Sequence, residues 1–253
     1  LREMEARLRT EKLAAMGRMS AAVAHEIRNP LAAISQANAL LEEDLTSPSQ
    51  LRLTAMVRQN AERLGHIVDD VLDVVRVQGQ SEPFAAETLE LDANVDEFCT
   101  EWAAQHGAGS RLQLQLTMPE VQVQFSPEHL RRILVNLLDN AARYATRQAG
   151  AIQVTTQAVR HGPALLMVWS DGPPLEPSVR RHLFEPFFSS ESRSSGLGLF
   201  ICRELCERHG AEIVYERCAV ERDGRALEGN AFHIRLRRAP GGHSSWGPES
   251  SFS

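Results

Sequence analysis

An α plus α/β chain is what the sequence predicts: an antiparallel helical hairpin that dimerises into a four-helix bundle, followed by a mixed sheet with helices on one face. Three observations carry that reading. Residues 1 to about 78 contain no proline except Pro30 and Pro48, and their apolar residues recur at helical spacing. Around Gln78 to Pro83 the composition turns to Gln, Gly, Ser and Pro, the mark of a domain boundary. Beyond it, runs of strict apolar alternation are interspersed with helical ones. The length of 253 residues suits roughly two domains at about 150 residues each. With 43% hydrophobic and 24% charged residues, the composition excludes disordered and fibrous classes.

The first helix follows from Leu13, Met16, Val23, Ile27, Leu31, Ile34, Leu41 and Leu45, with Leu1, Met4 and Leu8 extending the stripe upstream amid charges that suit a coiled-coil lead-in over 1–18. Thr46-Ser47-Pro48-Ser49 interrupts it, and a second series follows at Leu53, Met56 or Val57, Leu64, Ile67 or Val68, Val71 and Val75. Two helices joined by a short turn form an antiparallel hairpin, which cannot bury both stripes alone. A homodimer is therefore expected, and the hairpin domain is assigned to 10–78.

For the second domain, 84–238, strands are expected at Leu112–Leu116, Val121–Phe125, Ile152–Val159, Ala164–Trp169, Ile213–Tyr215 and Phe232–Leu236. Helices are expected at Asp92–His106, Pro127–Thr146, Pro177–Phe184 and Gly198–His209. Residues 240–253, rich in Gly and Ser, read as a disordered tail.

Composition excludes several chemistries. Of the 27 basic residues only Lys12 is lysine, leaving 26 arginines. A lysine phosphate loop, protein-kinase-type catalysis and Schiff-base chemistry all need a lysine in a context that Lys12 lacks. The net charge of −6 argues against nucleic acid as a partner. Cys99, Cys202, Cys206 and Cys218 contain no C-x-x-C pair, so neither a disulfide framework nor a zinc site is indicated, and a reducing cytoplasm fits. Cys202 and Cys206, four apart on a helix, read either as small core residues or as a redox pair. No apolar run approaches the ~20 residues needed to span a bilayer and no signal peptide opens the chain, so these residues are expected to be soluble. The chain begins at Leu1 rather than Met, and is expected to be part of a longer protein.

The chemistry-bearing residues fall in three segments. In Ala24-His25-Glu26-Ile27-Arg28-Asn29-Pro30-Leu31, His25 lies about 200° around the helix from Val23 and from Ile27, on the side away from the apolar stripe. An imidazole beside a carboxylate is either a plain surface histidine or a nucleophile whose ring proton Glu26 draws off. Pro30 removes the hydrogen bond to the Glu26 carbonyl and is expected to bend the helix. A zinc-protease helix is excluded because H-E-x-x-H needs a second histidine where Asn29 stands. In Asn136-Leu137-Leu138-Asp139-Asn140-Ala141-Ala142-Arg143-Tyr144, spacings of four and three place Asn136, Asn140 and Arg143 on one helix face. Amide oxygens can ligate Mg²⁺, and a guanidinium can fork onto phosphate. Finally, Phe184-Glu185-Pro186-Phe187-Phe188 leads through a short polar loop into Ser195-Gly196-Leu197-Gly198-Leu199-Phe200-Ile201. Glycines before a helix either make a simple turn or let backbone N–H groups approach an anion.

In this order and spacing the segments resemble the two-component sensor histidine kinases over residues 10 to about 238. His25–Leu31 looks like that family's H box, Asn136–Tyr144 its N box, Phe184–Phe188 its F box and Gly196–Leu199 its second glycine box. Residues Phe187–Cys206 resemble the pilus-regulating and nitrogen-regulatory group within the family. The resemblance implies a phosphotransfer hairpin followed by an ATP-binding α/β sandwich of the gyrase, Hsp90 and histidine-kinase type, with ATP and Mg²⁺ as cofactors. It makes His25 the phosphoacceptor, Glu26 its base and Asn29 the residue that positions water in a phosphatase reaction. Asn140 becomes the main Mg²⁺ ligand with Asn136 assisting, Arg143 a phosphate contact and Tyr144 part of the adenine site, with Gly196, Leu197, Gly198 and Leu199 around the phosphates. It also implies a response regulator as partner, by analogy a sigma-54 activator, and inner-membrane anchoring through regions outside this chain.

One segment departs from the family pattern. The first glycine box usually reads D-x-G-x-G, whereas this chain has Ser170-Asp171-Gly172-Pro173-Pro174. Aligned on Gly172, Ser170 stands where the adenine-binding aspartate belongs and Pro174 replaces the second glycine. Asp171 is one residue off, facing the other way in extended backbone. The serine forfeits a charge-assisted hydrogen bond of about 1 to 3 kcal/mol, so weakened ATP affinity or poor adenine selectivity is expected. The alternative function is accordingly a degenerate kinase acting mainly as phosphatase or regulator-binding scaffold. A purely structural coiled-coil dimer would leave the asparagine helix and glycine loop unexplained.

Overall fold

The computed structural model describes residues 26–79, 87–158, 162–188, 196–222 and 224–240. The lead-in over 1–18, the inter-domain stretch from Gln80 to Pro83 and the tail beyond Pro240 lie outside the described residues. The chain divides into two compact units, residues 1–82 with 181–201, and residues 83–180 with 202–253.

In the first unit the expected hairpin is present. Helix α1 is described over 26–44 and stays helical on both sides of Pro30; residues 45–47 turn the chain, and helix α2 spans Pro48–Gly79. The seam between them differs from the apolar stripe read off the sequence. It buries Asn38, Thr54, Ala61, Val68 and Leu72, with the Asn38 amide donating to the Thr54 carbonyl at 3.0 Å. Arg58 reaches Glu42 at 2.7 Å across it, and Arg28 pairs with Asp69. Small and polar side chains let two helix backbones approach, so the bulky stripe is turned outward. Ile27, Ile34, Leu41, Leu53, Met56, Val57 and Leu64 are between 41% and 62% exposed. That outward apolar face is what a lone hairpin cannot cover.

In the second unit, a short strand β1 (Thr88–Glu90) leads directly into helix α3 (Leu91–His106), which Gly107 ends in the left-handed conformation with its N–H on the Ala103 carbonyl. Strands β2 (Leu112–Leu116) and β3 (Gln122–Gln124) follow, and then helix α4 (Pro127–Tyr144). Ser126 caps α4 by accepting the His129 N–H at 3.4 Å, and Pro127 begins it, where a missing N–H costs nothing. Strands β4 (Ile152–Ala158) and β5 (Ala164–Ser170), the short helix α5 (Pro177–His182), helix α6 (Gly198–Arg208) and strands β6 (Glu212–Arg222) and β7 (Arg225–Leu236) complete the order, residues 181–201 counting with the first unit.

Five strands form one sheet in the order β2-β4-β5-β7-β6, with β2 parallel to β4 and all other pairs antiparallel; β1 and β3 make a separate two-stranded ribbon. The register places Ile152, Ser170, Asn230 and Arg217 in one row across four strands. Directly opposed residues share a face, so this row lies on the same side as the buried Val154, Val168, Phe232 and Ile234. Leu130, Ile133, Leu134, Leu137, Leu138 and Ala141 of α4 are buried, as are Cys202, Leu205 and Cys206.

Two strands are much longer than expected. The sequence reading stopped at Ile213–Tyr215 and Phe232–Leu236, but β6 continues to Arg222 and β7 begins at Arg225, with Gly224 ahead of it at φ 73°. The extension lies over the far face of the sheet: the Trp169 indole N–H donates to the Cys218 carbonyl at 3.1 Å, and Trp169 and Gln153 are buried there. Gly229 is required by this cover, because a Cβ at that position would lie 2.3 Å from the Trp169 ring.

Candidate functional site

Helix α4 is amphipathic, and its face away from the core is not uniform. Asp139 is engaged, accepting the Trp102 indole N–H at 2.8 Å. By contrast Asn136, Asn140, Arg143 and Tyr144 make no side-chain hydrogen bond or ion pair among the described residues. Asn136 is half-buried, and its amide nitrogen is buried without any partner. A desolvated polar atom left unpaired costs about 1–3 kcal/mol, so this N–H is a donor available to a water or a ligand oxygen. Neutral amide oxygens beside a guanidinium are a donor set that fits Mg²⁺ together with the phosphates of a nucleotide.

The end of β5 approaches the end of this helix. Gly172 passes so close that a Cβ there would stand 3.1 Å from the Tyr144 carbonyl oxygen and 3.2 Å from the Asn230 amide nitrogen. Ser170 is buried, and its hydroxyl makes no hydrogen bond among the described residues. Asp171 faces elsewhere. Its carboxylate accepts the Thr146 N–H at 2.8 Å and the Thr146 hydroxyl at 2.7 Å, and Arg222 stands 3.6 Å away. Although Asp171 counts among the candidate binding residues in sequence, the structure commits it to bracing the turn after α4. The reason is the alternation of extended backbone: Ser170 shares the face of Asn230, and its neighbour points away.

Sequence reasoning missed the group around Asn230. Its amide oxygen accepts from Tyr215 Oη at 2.8 Å and from Arg217 at 3.2 Å, while its amide N–H donates to the Pro173 carbonyl at 2.9 Å. Arg217 also donates to the Gly172 carbonyl at 3.3 Å. The first glycine segment is thus pinned from β6 and β7. The Asp223-Gly224 pair, a two-residue hairpin signal, was the available clue that β6 and β7 reach this far.

The other candidates lie in the first unit. Glu26 and Asn29 are exposed on α1, while His25 lies outside the described residues. Gly196 adopts φ 69°, and a Cβ on it would lie 2.7–2.8 Å from the backbone of Phe187 and Phe188, so only glycine fits. Phe187 is itself at φ 61°. Leu197 is buried, and Gly198 and Leu199 open α6 half-buried. The cysteines read as core: Cys202 and Cys206 are fully buried, and burial, with Cys202 and Glu207 nearby, pushes the Cys206 thiol up. Burial and Asp96 push Cys99 up to about 12. Burial likewise raises the Cys218 thiol, so Cys99, Cys206 and Cys218 are held as neutral thiols.

Comparison with known proteins bears on both units. Residues 15–80 match the family model of the His Kinase A (phospho-acceptor) domain, a span that includes His25. Residues 125–240 match that of the histidine kinase-, DNA gyrase B- and HSP90-like ATPase. The sensor protein kinase PilS of Pseudomonas aeruginosa is 38% identical over 209 residues, covering 81% of this chain and 38% of PilS. The sensor histidine kinase ZraS of Klebsiella oxytoca is 30% identical over 213 residues, covering 83% of this chain and 45% of ZraS. The chain thus spans less than half the length of these curated relatives. Among solved structures, full-length ShkA in complex with AMPPNP gives a TM-score of 0.67 at 23% identity, covering 88% of this chain and 46% of that one. The Acinetobacter baumannii histidine kinase AdeS gives 0.56 at 22%, covering 84% and 97%. These two likenesses concern the fold. With a phosphoacceptor domain followed by a histidine-kinase-type ATPase domain, and relatives of the same kind over most of its length, the chain belongs to the two-component sensor histidine kinases.

Proposed function

We propose that this chain autophosphorylates His25 from ATP and passes the phosphoryl group to an aspartate of a response regulator. The observation that supports it best is the face of α4, where Asn136, Asn140 and Arg143 make no side-chain bond among the described residues, on a helix whose last residue, Tyr144, lies against Gly172. Mg²⁺, held through the amide oxygens of Asn140 and Asn136, would neutralise phosphate charge. Arg143 contacts phosphate, Tyr144 packs by the base, and the backbone N–H groups of Gly196, Leu197, Gly198 and Leu199 take further phosphate oxygens. One imidazole nitrogen of His25 attacks the terminal phosphorus, forming an N–P bond as the bond to the ADP oxygen breaks, while Glu26 accepts the proton from the other nitrogen. Transfer to a regulator aspartate breaks N–P, forms O–P and returns the proton to the imidazole.

The hairpin acts as a homodimer in this reading, since a second copy covers the outward apolar face. The working domains are 10–78 and 84–238, with 1–18 as a signalling lead-in and 240–253 as a tail. Anchoring of the full-length protein in the inner membrane belongs to segments outside this chain; among the described residues no helix is long and apolar enough to cross a membrane. By likeness to the pilus-regulating group, the partner is a sigma-54 activator. A second reading is favoured by Ser170 and by the commitment of Asp171 elsewhere: a kinase that uses ATP poorly and works mainly as an Asn29-dependent phosphatase or scaffold. Incubation with γ-labelled ATP and Mg²⁺, with His25→Gln as control, separates them. Acid-labile label that depends on His25 supports the kinase. No label, with faster dephosphorylation of a phosphorylated regulator, supports the second reading.

A further inference from the structure

We infer that the base end of this site accepts 6-oxopurine nucleotides, guanosine and inosine triphosphates, at least as readily as adenosine triphosphate. The inference rests on the nucleotide reading of the α4 site and concerns which base it takes. Adenine carries a donor at position 6 and an acceptor at N1, whereas guanine and hypoxanthine carry an acceptor at position 6 and a donor at N1. A site distinguishes them only if it offers a fixed acceptor or a fixed donor that the wrong base leaves unpaired.

Among the described residues, the side chains at the end of β5 supply no such fixed acceptor, and the Gly172 and Pro173 carbonyls already accept from Arg217 and Asn230. Ser170 is 6% exposed with an unbonded hydroxyl, and a hydroxyl rotor donates or accepts equally well. Asp171 is turned away, with its oxygens taken by Thr146 and Arg222. Asn230 stands opposite Ser170 on β7 and shares its face. Its orientation is fixed by chemistry rather than by assignment: Arg217 can only donate, so the atom facing it is the amide oxygen, and the Pro173 carbonyl can only accept, so the atom facing that is the nitrogen. With the oxygen accepting from both Tyr215 and Arg217, its capacity is used. What remains on Asn230 is one N–H, a donor. An ambivalent hydroxyl beside a spare donor complements a 6-oxo group at least as well as a 6-amino group. Restoring a carboxylate at position 170 should reverse the preference, because it can only accept.

The test is displacement of a fluorescent trinitrophenyl-ATP probe from the whole chain with Mg²⁺ by ATP, GTP and ITP, for the wild type, Ser170→Asp and Ser170→Ala. The wild type is expected to bind GTP and ITP as tightly as ATP or more tightly, and Ser170→Asp to shift the ratio at least tenfold toward ATP. Ser170→Ala, which leaves the Asn230 N–H in place, should still bind GTP within about tenfold of ATP. A wild type that prefers ATP to GTP by more than about threefold overturns the inference while leaving the nucleotide reading intact. Failure of the probe itself to bind any of the three proteins, with each folded by circular dichroism, overturns both.

Discussion

Asp171→Ala separates a structural brace from a ligand-binding carboxylate, and its cost can be worked from the contacts. The side chain is only 10% exposed, and Arg222 facing it is 15% exposed, so solvent screens this pair poorly. Truncation removes two hydrogen bonds to a carboxylate, at 2.8 and 2.7 Å, from Thr146. Because Thr146 is exposed, water replaces part of each, leaving about 1 kcal/mol lost. Arg222 keeps its bond to Gln148 at 3.0 Å but loses its counter-charge, worth about another 1–2 kcal/mol for a group this buried. The expected total is about 2–3 kcal/mol, or a fall in Tm of roughly 4–12 °C. Urea and thermal unfolding followed by tryptophan fluorescence report it directly, since Trp169 is buried next door in β5. Below the transition, probe displacement should give ATP affinity within about threefold of the wild type. Arg222→Met should cost a similar amount, and the double variant should fall well short of the sum. Unchanged unfolding combined with a tenfold or greater loss of ATP affinity would refute the reasoning, because Asp171 would then be serving the nucleotide rather than the turn.

Other perturbations follow the same logic. Gly196→Ala must move backbone 2.7–2.8 Å away and hold an alanine at φ 69°, so labelling of His25 should fall more than tenfold with the hairpin helices intact by circular dichroism. Gly229→Ala collides with the Trp169 ring and the Ser170 carbonyl, which should cost about 1–3 kcal/mol and perturb Trp169 fluorescence; an unchanged spectrum and midpoint would contradict the cover described for the far face. Ile34→Glu with Leu41→Glu should convert a dimer to monomer in analytical ultracentrifugation, and a persisting dimer would move the interface off the outward stripe. His209 lies 2.8 Å from His129 and stacks on Phe125; burial first, then His129 and Arg208, lower its pKa to about 4. The unfolded chain binds this proton near pH 6.5 and the folded one only near 4, so stability should be complete above about 6.5 and decline as pH falls toward 4. His209→Gln should flatten that decline in urea midpoints, and an equally steep decline would assign it to other groups.

The identity of most elements was legible because their patterns are local. The α4 helix carries its own cap at Ser126, its own proline at the first turn and an uninterrupted apolar face, and it was bounded within two residues at its C-terminal end. Strand β2 declared itself by alternation, and β5 by a short continuous apolar run. The three-residue strands β1 and β3 are too short for a period to show, and β1 escaped notice because its pairing with β3 is a long-range contact. In β6 and β7, alternation beyond Tyr215 is blurred by Glu216, Arg217, Glu221 and Arg222. What holds the hairpin there is Trp169 beneath it, from a distant strand.

By itself the sequence determined the family and the classes of chemistry that its residues exclude. One lysine among 27 basic residues turned the proposal for phosphate handling toward asparagines, arginine and backbone N–H groups, and the order of the motifs carried the family. Those properties reside in residue type and spacing, which need no partner to be read. Tertiary structure decided which way each side chain faces. Opposed strands put Asn230 beside Ser170 and turned Asp171 to Thr146 and Arg222, so two residues adjacent in sequence face opposite ways and meet different neighbours. Likewise, small residues on the hairpin seam, Asn38, Thr54 and Ala61, turned the apolar stripe outward. Facing and burial depend on what arrives from elsewhere in the chain, and only the folded molecule supplies that.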